Sequence, residues 1–145
     1  MIEALTKTVQ RKTNRGHRME KTIAVIGGSG FVGRATIEVI AKHNARIIVL
    51  CRNAERAKYL KPMGDVGQIT LVSGDACDDE TLEGVIAPAE AVVNLIGILA
   101  ETGSQKFSAL QADLPGRIGA LAAKHNVESV VHVSAIGAST SSPSI

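Results

Sequence analysis

Short, continuous apolar runs alternate along the chain with longer segments in which apolar residues recur every three or four positions. The first pattern is typical of buried strands and the second of amphipathic helices, so the sequence predicts repeated βα units. The five predicted strands are Thr22–Ile26, Arg46–Cys51, Ile69–Val72, Ala91–Leu95 and Ser129–Ser134. The four predicted helices are Gly30–His43, Ala54–Leu60, Glu80–Ile86 and Phe107–His125. Strands of this kind, separated by helices, favour a parallel sheet with helices on both faces, which is a doubly wound α/β fold.

Three details follow from the same pattern. The first helix is expected to bury the face formed by Val32, Ala35, Thr36, Val39 and Ile40. Asp78 or Asp79 is expected to cap the third helix, because a carboxylate there accepts hydrogen bonds from free N–H groups. A doubly wound domain usually continues with a further helix and strand, whereas this chain stops at Ile145, so we expect a sheet that is truncated at its C-terminal side.

Charge divides the 145 residues into two parts. Residues 1–18 carry five basic side chains and one acidic one, a net charge of +4, whereas residues 19–145 carry 11 basic and 13 acidic side chains, a net charge of −2. We therefore expect a basic tail over residues 1–20 and one folded domain over residues 21–145. The tail fits an organelle transit peptide, a disordered arm that contacts anionic lipid or a partner, or an extension upstream of a true start at Met19. The last two interpretations are favoured.

Composition disfavours several function classes. The chain has three aromatic residues and no Trp, which argues against single-stranded nucleic-acid binding by base stacking. The longest apolar stretch is too short to cross a bilayer as a helix. Cys51, Cys77 and the four histidines show no metal-ligand spacing, so no metal site is expected. A reducing, cytoplasm-like compartment is expected for the same cysteines.

The most informative motif is a glycine-rich turn that joins the first strand to the first helix. In dinucleotide-binding folds with such a GxxGxxG spacing, the glycines permit a tight turn, close approach of a pyrophosphate and close helix packing, and the helix N-terminus binds the phosphates. The predicted cofactor contacts in this turn are Gly27, Gly28, Ser29, Gly30, Phe31, Val32, Gly33 and Arg34. The alternative is a glycine-rich turn in an α/β domain that binds nothing. A nucleophile elbow and a Walker loop both lack required residues.

The residue after the second strand discriminates between the two nicotinamide dinucleotides. Sites that select NAD place an acid there, whereas this chain has Arg52, whose guanidinium suits a 2′-phosphate. Arg34 could add a second positive charge. The sequence therefore predicts NADP(H) as the cofactor, with NAD(H) as the second choice. The alternative is that Arg52 ends a strand and lies in solvent.

Residues after the third and fourth strands fit the same ligand. Asp75, followed by Ala76, could accept a hydrogen bond from the adenine amine, or it could simply form a turn. Asn94, Leu95 and Gly97 end the fourth strand, where they could lie beside the nicotinamide ribose. Asn94 needs a hydrogen-bond partner in either case, because it lies within an apolar strand.

With these residues in place, the chain resembles the short-chain dehydrogenase/reductase superfamily in its atypical or extended branch. The similarity is closest to the NAD(P)H-binding accessory subunit of respiratory complex I and its bacterial relatives. The segments that carry it are GGSGFVGR (27–34), ERAKYLKPMGDVGQI (55–69), AVVNLIGIL (91–99) and VHVSAIGASTSSPS (131–144). The resemblance implies a Rossmann domain that holds NADPH through contacts that include Gly27, Gly30, Gly33, Arg52 and Asp75.

The same resemblance aligns Ser134 with the catalytic serine of the superfamily. In active members that serine works with a Tyr and a Lys spaced YxxxK, in which the Lys lowers the pKa of the phenol. Tyr59, the one tyrosine, is not followed by such a lysine, and the pair would be expected after Ile145. The chain as given is therefore not expected to be catalytically competent alone.

Three functions stay open. The resemblance implies a cofactor held in a structural or assembly role in the respiratory NADH dehydrogenase, with no nucleic-acid partner. Such a protein would lie in the cytoplasm, peripheral to the inner face of a bacterial membrane, or on the matrix side in mitochondria. One alternative is an NADP-dependent oxidoreductase or epimerase of the extended type. The other is a non-catalytic NADP(H) sensor.

Overall fold

The computed structural model describes residues 21–97 and 113–134. Five strands are present in this part of the chain: β1 Thr22–Ile26, β2 Arg46–Cys51, β3 Ile69–Ser73, β4 Ala91–Asn94 and β5 Ser129–His132. Four helical segments connect them: α1 Phe31–Lys42, a 3₁₀ helix Lys58–Met63, α2 Asp79–Ile86 and α3 Leu114–Lys124. The basic tail and the predicted first residues of the last helix lie outside the described residues.

The five strands form one parallel sheet in the order β3-β2-β1-β4-β5. The chain moves outward from β1 to β3 and then returns to place β4 on the other side of β1. This reversal is the topological switch point of a Rossmann-type sheet, and ligands bind at the carboxyl ends of the strands there. The predicted fold class is confirmed.

Each face of the sheet has its own core. On one face Val25 and Val49 of the sheet are buried against Ile37 of α1, whereas on the other face Ile26 is buried in the same cluster as Leu82 of α2. Because both faces are covered, the inner strands are continuous apolar runs rather than alternating ones. The apolar runs therefore predict the strands to within two residues at each end.

The buried face of α1 differs from the predicted one. Val32 and Val39 are 51% and 55% exposed, and Ala35 is also exposed, so that part of the prediction is wrong. The residues that α1 buries are Gly33, Ile37 and Ala41. Gly33 explains why α1 turns this face toward the sheet, because its missing side chain lets the helix approach the backbone of Gly28 closely.

The segment after β2 also differs from the predicted short helix. Residues 54–57 form turns, because the Ala54 N–H donates to Ser73 Oγ at 2.8 Å and the Arg56 N–H to Asn53 Oδ1 at 3.0 Å. The 3₁₀ helix follows and includes Pro62, which lies beyond the predicted helix. A 3₁₀ helix of six residues loses little from the missing N–H of a proline, so Pro62 is accommodated.

Capping residues end or begin the other helices. Asp78 caps α2 by accepting a hydrogen bond from the Thr81 N–H at 2.9 Å, as predicted. The same four residues, Ala-Lys-His-Asn, end both α1 and α3. Their asparagines, Asn44 and Asn126, have φ angles of 59° and 55°, the left-handed conformation that closes a helix C-terminus.

Candidate functional site

The glycine turn starts where β1 ends, at the switch point of the sheet. Gly27 has a φ of +81°, and its N–H donates to the Leu50 carbonyl at 3.1 Å. A β-carbon on Gly27 would lie 2.8 Å from Ile96 Cγ1 and 3.0 Å from Ile96 N, in the segment after β4. The protein itself therefore requires glycine at this position, for both its conformation and its space.

Close packing explains two further glycines of the turn. A β-carbon on Gly33 would lie 2.5 Å from the backbone of Gly28. A β-carbon on Gly28 would lie 2.7 Å from Val49 Cγ1 and 2.8 Å from Ile37 Cδ1. Both glycines let α1 lie against the end of β1, which is the helix-packing role expected for the motif.

Gly30 stands apart from the other three glycines. Its φ is −81°, and among the described residues a β-carbon there would meet only the Gly27 carbonyl oxygen, at 3.6 Å. Gly30 is also the N-cap of α1, and no side chain in the described segments caps that helix. The first intrahelical bond runs from the Arg34 N–H to the Gly30 carbonyl, at 2.9 Å. The N–H groups of residues 31–33 come before this first bond and therefore have no acceptor within the helix. They lie at the positive end of the helix dipole, where a phosphate can accept hydrogen bonds from them.

Three predicted side chains lie at the same edge of the sheet. Arg52 follows β2, which pairs with β1, and its side chain is exposed without a hydrogen bond or ion pair to any described residue. Ser134 lies two residues beyond β5 and is exposed. Phe31 is 95% exposed beside the turn. The edge thus presents a guanidinium, a hydroxyl and an apolar ring to solvent.

Asp75 forms a turn after β3. Its Oδ1 accepts a hydrogen bond from the Cys77 N–H at 2.8 Å, and its carbonyl accepts from the Asp78 N–H at 3.1 Å. Arg117 on α3 steadies this turn by donating to the Cys77 carbonyl at 2.9 Å. The side chain of Ala76 is buried in the core. The turn-forming role of Asp75 is therefore present, and its contact with adenine stays a prediction.

Asn94 is fully buried at the end of β4. Its Nδ2 donates to His132 Nδ1 across 3.1 Å, and its Oδ1 accepts from the Ile96 N–H at 3.2 Å. The predicted need for a hydrogen-bond partner is confirmed, and both partners belong to the protein. Leu95 packs partly into the core, and Gly97 is exposed, with no described side chain or backbone atom within 4 Å of a β-carbon placed there.

Comparison with known proteins identifies the kind of site. The sequence profile of a family described as NAD(P)H-binding matches residues 27–144, from the first glycine of the turn onward. The chain belongs to this NAD(P)H-binding family. A nicotinamide dinucleotide is therefore the ligand class of this domain, which confirms the coarse part of the cofactor prediction.

Curated relatives of this NAD(P)H-binding chain are subunits of respiratory complex I. It is 34% identical over 122 residues to NADH dehydrogenase (ubiquinone) 1 alpha subcomplex subunit 9, mitochondrial, of Arabidopsis thaliana, covering 83% of this chain and 30% of that protein. It is 32% identical over 137 residues to the Dictyostelium discoideum protein of the same name, covering 92% of this chain and 38% of that one. The predicted resemblance is confirmed, and the chain spans about a third of the length of these relatives.

Solved structures show the same fold at lower identity. A Bacillus halodurans protein assigned as an NAD-dependent epimerase/dehydratase superposes with a TM-score of 0.69 at 21% identity, covering 81% of this chain and 52% of that one. A Serratia marcescens short-chain dehydrogenase/reductase variant gives a TM-score of 0.69 at 19% identity, covering 83% of this chain and 58% of that one.

Within the described residues no helix has the length and apolarity needed to cross a membrane.

Tyr59 contacts the glycine turn, although its sequence context does not indicate such a contact. Its hydroxyl donates to the Ser29 carbonyl at 2.7 Å, and the Arg34 Cζ lies 5.9 Å from the centroid of its ring. The missing lysine of a YxxxK pair bears only on whether Tyr59 is catalytic and does not indicate whether it contacts the turn. A residue separated from the turn by an entire strand carries no local signal of such a contact.

Proposed function

We propose that the chain binds NADPH in preference to NADH at this edge and holds it in a structural or assembly role within a respiratory NADH dehydrogenase. The contrast among the glycines carries the binding part of the proposal. Gly27, Gly28 and Gly33 are required by contacts inside the protein, whereas a β-carbon on Gly30 would meet no described atom closer than 3.6 Å. A ligand that approaches the backbone closely explains a glycine for which the described residues leave room for a side chain.

The side chains around the turn support the preference for NADPH. Arg52 occupies the position at which NAD-selective sites carry an acid that binds the ribose hydroxyls. Its guanidinium is exposed and has no partner among the described residues, so no ion pair in that part of the chain has to be broken before it binds a phosphate. Arg34 adds a second guanidinium in the first turn of α1. Two guanidinium groups at this edge favour the dinucleotide that carries the extra phosphate.

Titration calorimetry with NADPH and NADH tests the preference. We expect NADPH to bind the wild-type chain at least about tenfold more tightly, because a charge-assisted hydrogen bond contributes about 1.5–3 kcal/mol. The variant Arg52→Asp is expected to reverse that order. Arg46→Asp is the matched control, since it makes the same charge change at the opposite end of β2, and it is expected to keep the wild-type preference. Equal affinities of the wild-type chain for both cofactors would contradict the proposal.

The structural role draws its support from the complex I subunits among the relatives, which are about 30% identical over most of this chain. Deleting the gene that encodes the full protein is expected to lower the amount of assembled NADH dehydrogenase. Native gel electrophoresis of solubilised membranes measures this amount. Normal assembly in the deletion strain would contradict an assembly role while leaving cofactor binding intact.

Ser134 keeps an oxidoreductase as the second candidate. It lies exposed at the same edge, two residues beyond β5, where the resemblance places a catalytic serine. Incubating the full-length protein with NADPH and a panel of carbonyl compounds separates the two candidates. Substrate-dependent oxidation of NADPH that is lost in Ser134→Ala would favour the oxidoreductase.

A further inference from the structure

Tyr59 reaches the glycine turn from a different part of the chain, with its hydroxyl and its ring in separate contacts. It belongs to the 3₁₀ helix between β2 and β3, and it is 45% exposed. The hydroxyl donates to the Ser29 carbonyl at 2.7 Å, and the Arg34 guanidinium lies over the ring, 5.9 Å from its centroid. The hydroxyl thus contacts the backbone of the turn, whereas the ring contacts a charged side chain at the edge of the turn.

The hydroxyl contact fixes one peptide group of the turn. The carbonyl of the Ser29–Gly30 peptide accepts from Tyr59, and its N–H donates to the Gly27 carbonyl at 3.3 Å. Because oxygen and hydrogen point in opposite directions in a trans peptide, these bonds hold the group from both sides. The Ser29 carbonyl is also a negative end of a dipole beside the open end of α1. Its hydrogen bond to Tyr59 reduces the repulsion that it would exert on a phosphate.

The ring contact orients Arg34. Glu38 lies one helical turn from Arg34 and could compete with the Tyr59 ring for the guanidinium. The Glu38 carboxylate, however, binds Lys42 at 3.0 Å. That hydrogen bond with Lys42 is the main reason why the pKa of Glu38 is lowered. Arg34 therefore keeps the aromatic ring as its contact. An arginine that lies over an aromatic ring, beside a carboxylate already bound to a lysine, keeps its N–H donors available for a phosphate.

We propose that Tyr59 is a positioning residue for the dinucleotide phosphates, in which the hydroxyl holds the glycine turn and the ring presents Arg34 to the 2′-phosphate of NADPH. This inference rests on the proposed function, since it requires the dinucleotide to bind at this turn. The hydroxyl serves NADPH and NADH alike, because both carry a pyrophosphate. The ring serves NADPH alone, because the 2′-phosphate is the group that NADH lacks.

Two substitutions separate the roles. Tyr59→Phe removes the hydroxyl and keeps the ring, so the affinities for NADPH and NADH are both expected to fall about fivefold, the effect of one neutral hydrogen bond. Tyr59→Leu removes both contacts, so the ratio of the two affinities is expected to fall about threefold as well, the effect of an exposed cation–π contact. Lys61→Leu, in the same 3₁₀ helix, is the control and is expected to change neither quantity.

A background without Arg34 completes the test. When Arg34→Met is also present, Tyr59→Phe and Tyr59→Leu are expected to give the same NADPH-to-NADH affinity ratio, because the ring has no guanidinium to present. Calorimetric titration gives the affinities, and circular dichroism shows whether each variant is folded. Tyr59 is the one tyrosine in a chain without Trp, so tyrosine fluorescence of the wild-type protein reports directly on ligand binding at the turn.

The outcomes distinguish the inference from the function on which it rests. A wild-type chain that binds neither dinucleotide contradicts the proposed function. A wild-type chain that binds both, with Tyr59 variants that melt earlier but keep the affinities and their ratio, shows a merely structural residue and overturns the inference. If Tyr59→Leu does not fold, an unchanged affinity in Tyr59→Phe or an unchanged ratio in Arg34→Met overturns it in the same way.

Discussion

The same substitution, glycine to alanine, is expected to have opposite consequences at Gly30 and Gly33. The two positions lie three residues apart in one turn, and neither has a φ that excludes a side chain. At Gly33 the new β-carbon would lie 2.5 Å from the backbone of Gly28, which cannot move without displacing β1. At Gly30 the nearest described atom is 3.6 Å away, an ordinary van der Waals distance. The fold therefore resists a methyl group at Gly33 and accepts one at Gly30.

The magnitudes follow from two competing terms. Overpacking at Gly33 costs about 3 kcal/mol, whereas the higher helix propensity of alanine returns about 1 kcal/mol, so a net loss of about 2 kcal/mol is expected. For a chain of this size that loss lowers Tm by about 8 °C. Gly30→Ala weakens only the helix N-cap, by about 0.5 kcal/mol, or about 2 °C. Its methyl group would instead meet the pyrophosphate and lower the affinity for NADPH about 10- to 100-fold.

Thermal unfolding followed by circular dichroism measures the first effect, and calorimetric titration with NADPH measures the second. Each variant serves as the control for the other, since both remove one glycine from the same turn. If Gly30→Ala binds NADPH as tightly as the wild-type chain, the open space at Gly30 is not the approach of a phosphate. If Gly33→Ala melts at the wild-type temperature, α1 can shift away from Gly28 at little cost.

Substitutions at three further positions test the contacts that cap the helices and end β4. Asn126→Ala is expected to lower the free energy of unfolding by about 1 kcal/mol, because the backbone of this residue has the left-handed conformation. Asn126→Gly is expected to preserve that free energy, and urea unfolding measures both. Asn94→Leu leaves the Ile96 N–H unpaired and is expected to cost about 2 kcal/mol in the same assay. Asp78→Ala removes a helix cap whose hydrogen bonds with Thr81 lower the pKa of the Asp78 carboxyl. The cap therefore stabilises the fold at pH above the ordinary pKa of 3.8, and this stabilisation disappears as pH falls through the lowered pKa. A Tm difference between variant and wild type that persists in strong acid would contradict this.

The sheet is predictable because burial on both faces leaves continuous apolar runs in the sequence. β1 and β2 have the predicted bounds, whereas β4 ends at Asn94 and β5 at His132, earlier than predicted. Apolar residues continue beyond these strands, so hydrophobicity alone does not mark where ladder pairing stops. At the end of β4 the Asn94 side chain bonds both to His132 on the neighbouring strand and to the Ile96 N–H of the following segment, a pair of contacts that hydrophobicity does not encode.

The buried face of α1 and the role of Tyr59 are not predictable in the same way. Hydropathy gives weight to Val32 and Val39 and none to Gly33, yet the absence of a side chain at Gly33 decides how the helix rotates onto the sheet. The contact between Tyr59 and Ser29 joins residues 30 positions apart through a 3₁₀ turn. Hydropathy along the chain reveals apolar periodicity, whereas the first of these features depends on a missing side chain and the second on two segments that are distant in sequence.

The described contacts separate the glycines that build the fold from the exposed arginine that we propose selects the cofactor. Gly27, Gly28 and Gly33 are held by contacts within the sheet and its first helix, so replacing them disturbs the fold before it disturbs binding. Arg52 is exposed at the end of β2 and no described core residue depends on it, so the preference for a 2′-phosphate can change at little cost in stability. The glycines therefore carry no information on the choice between NADH and NADPH, and the proposed preference has to be argued from the arginine side chains at the edge.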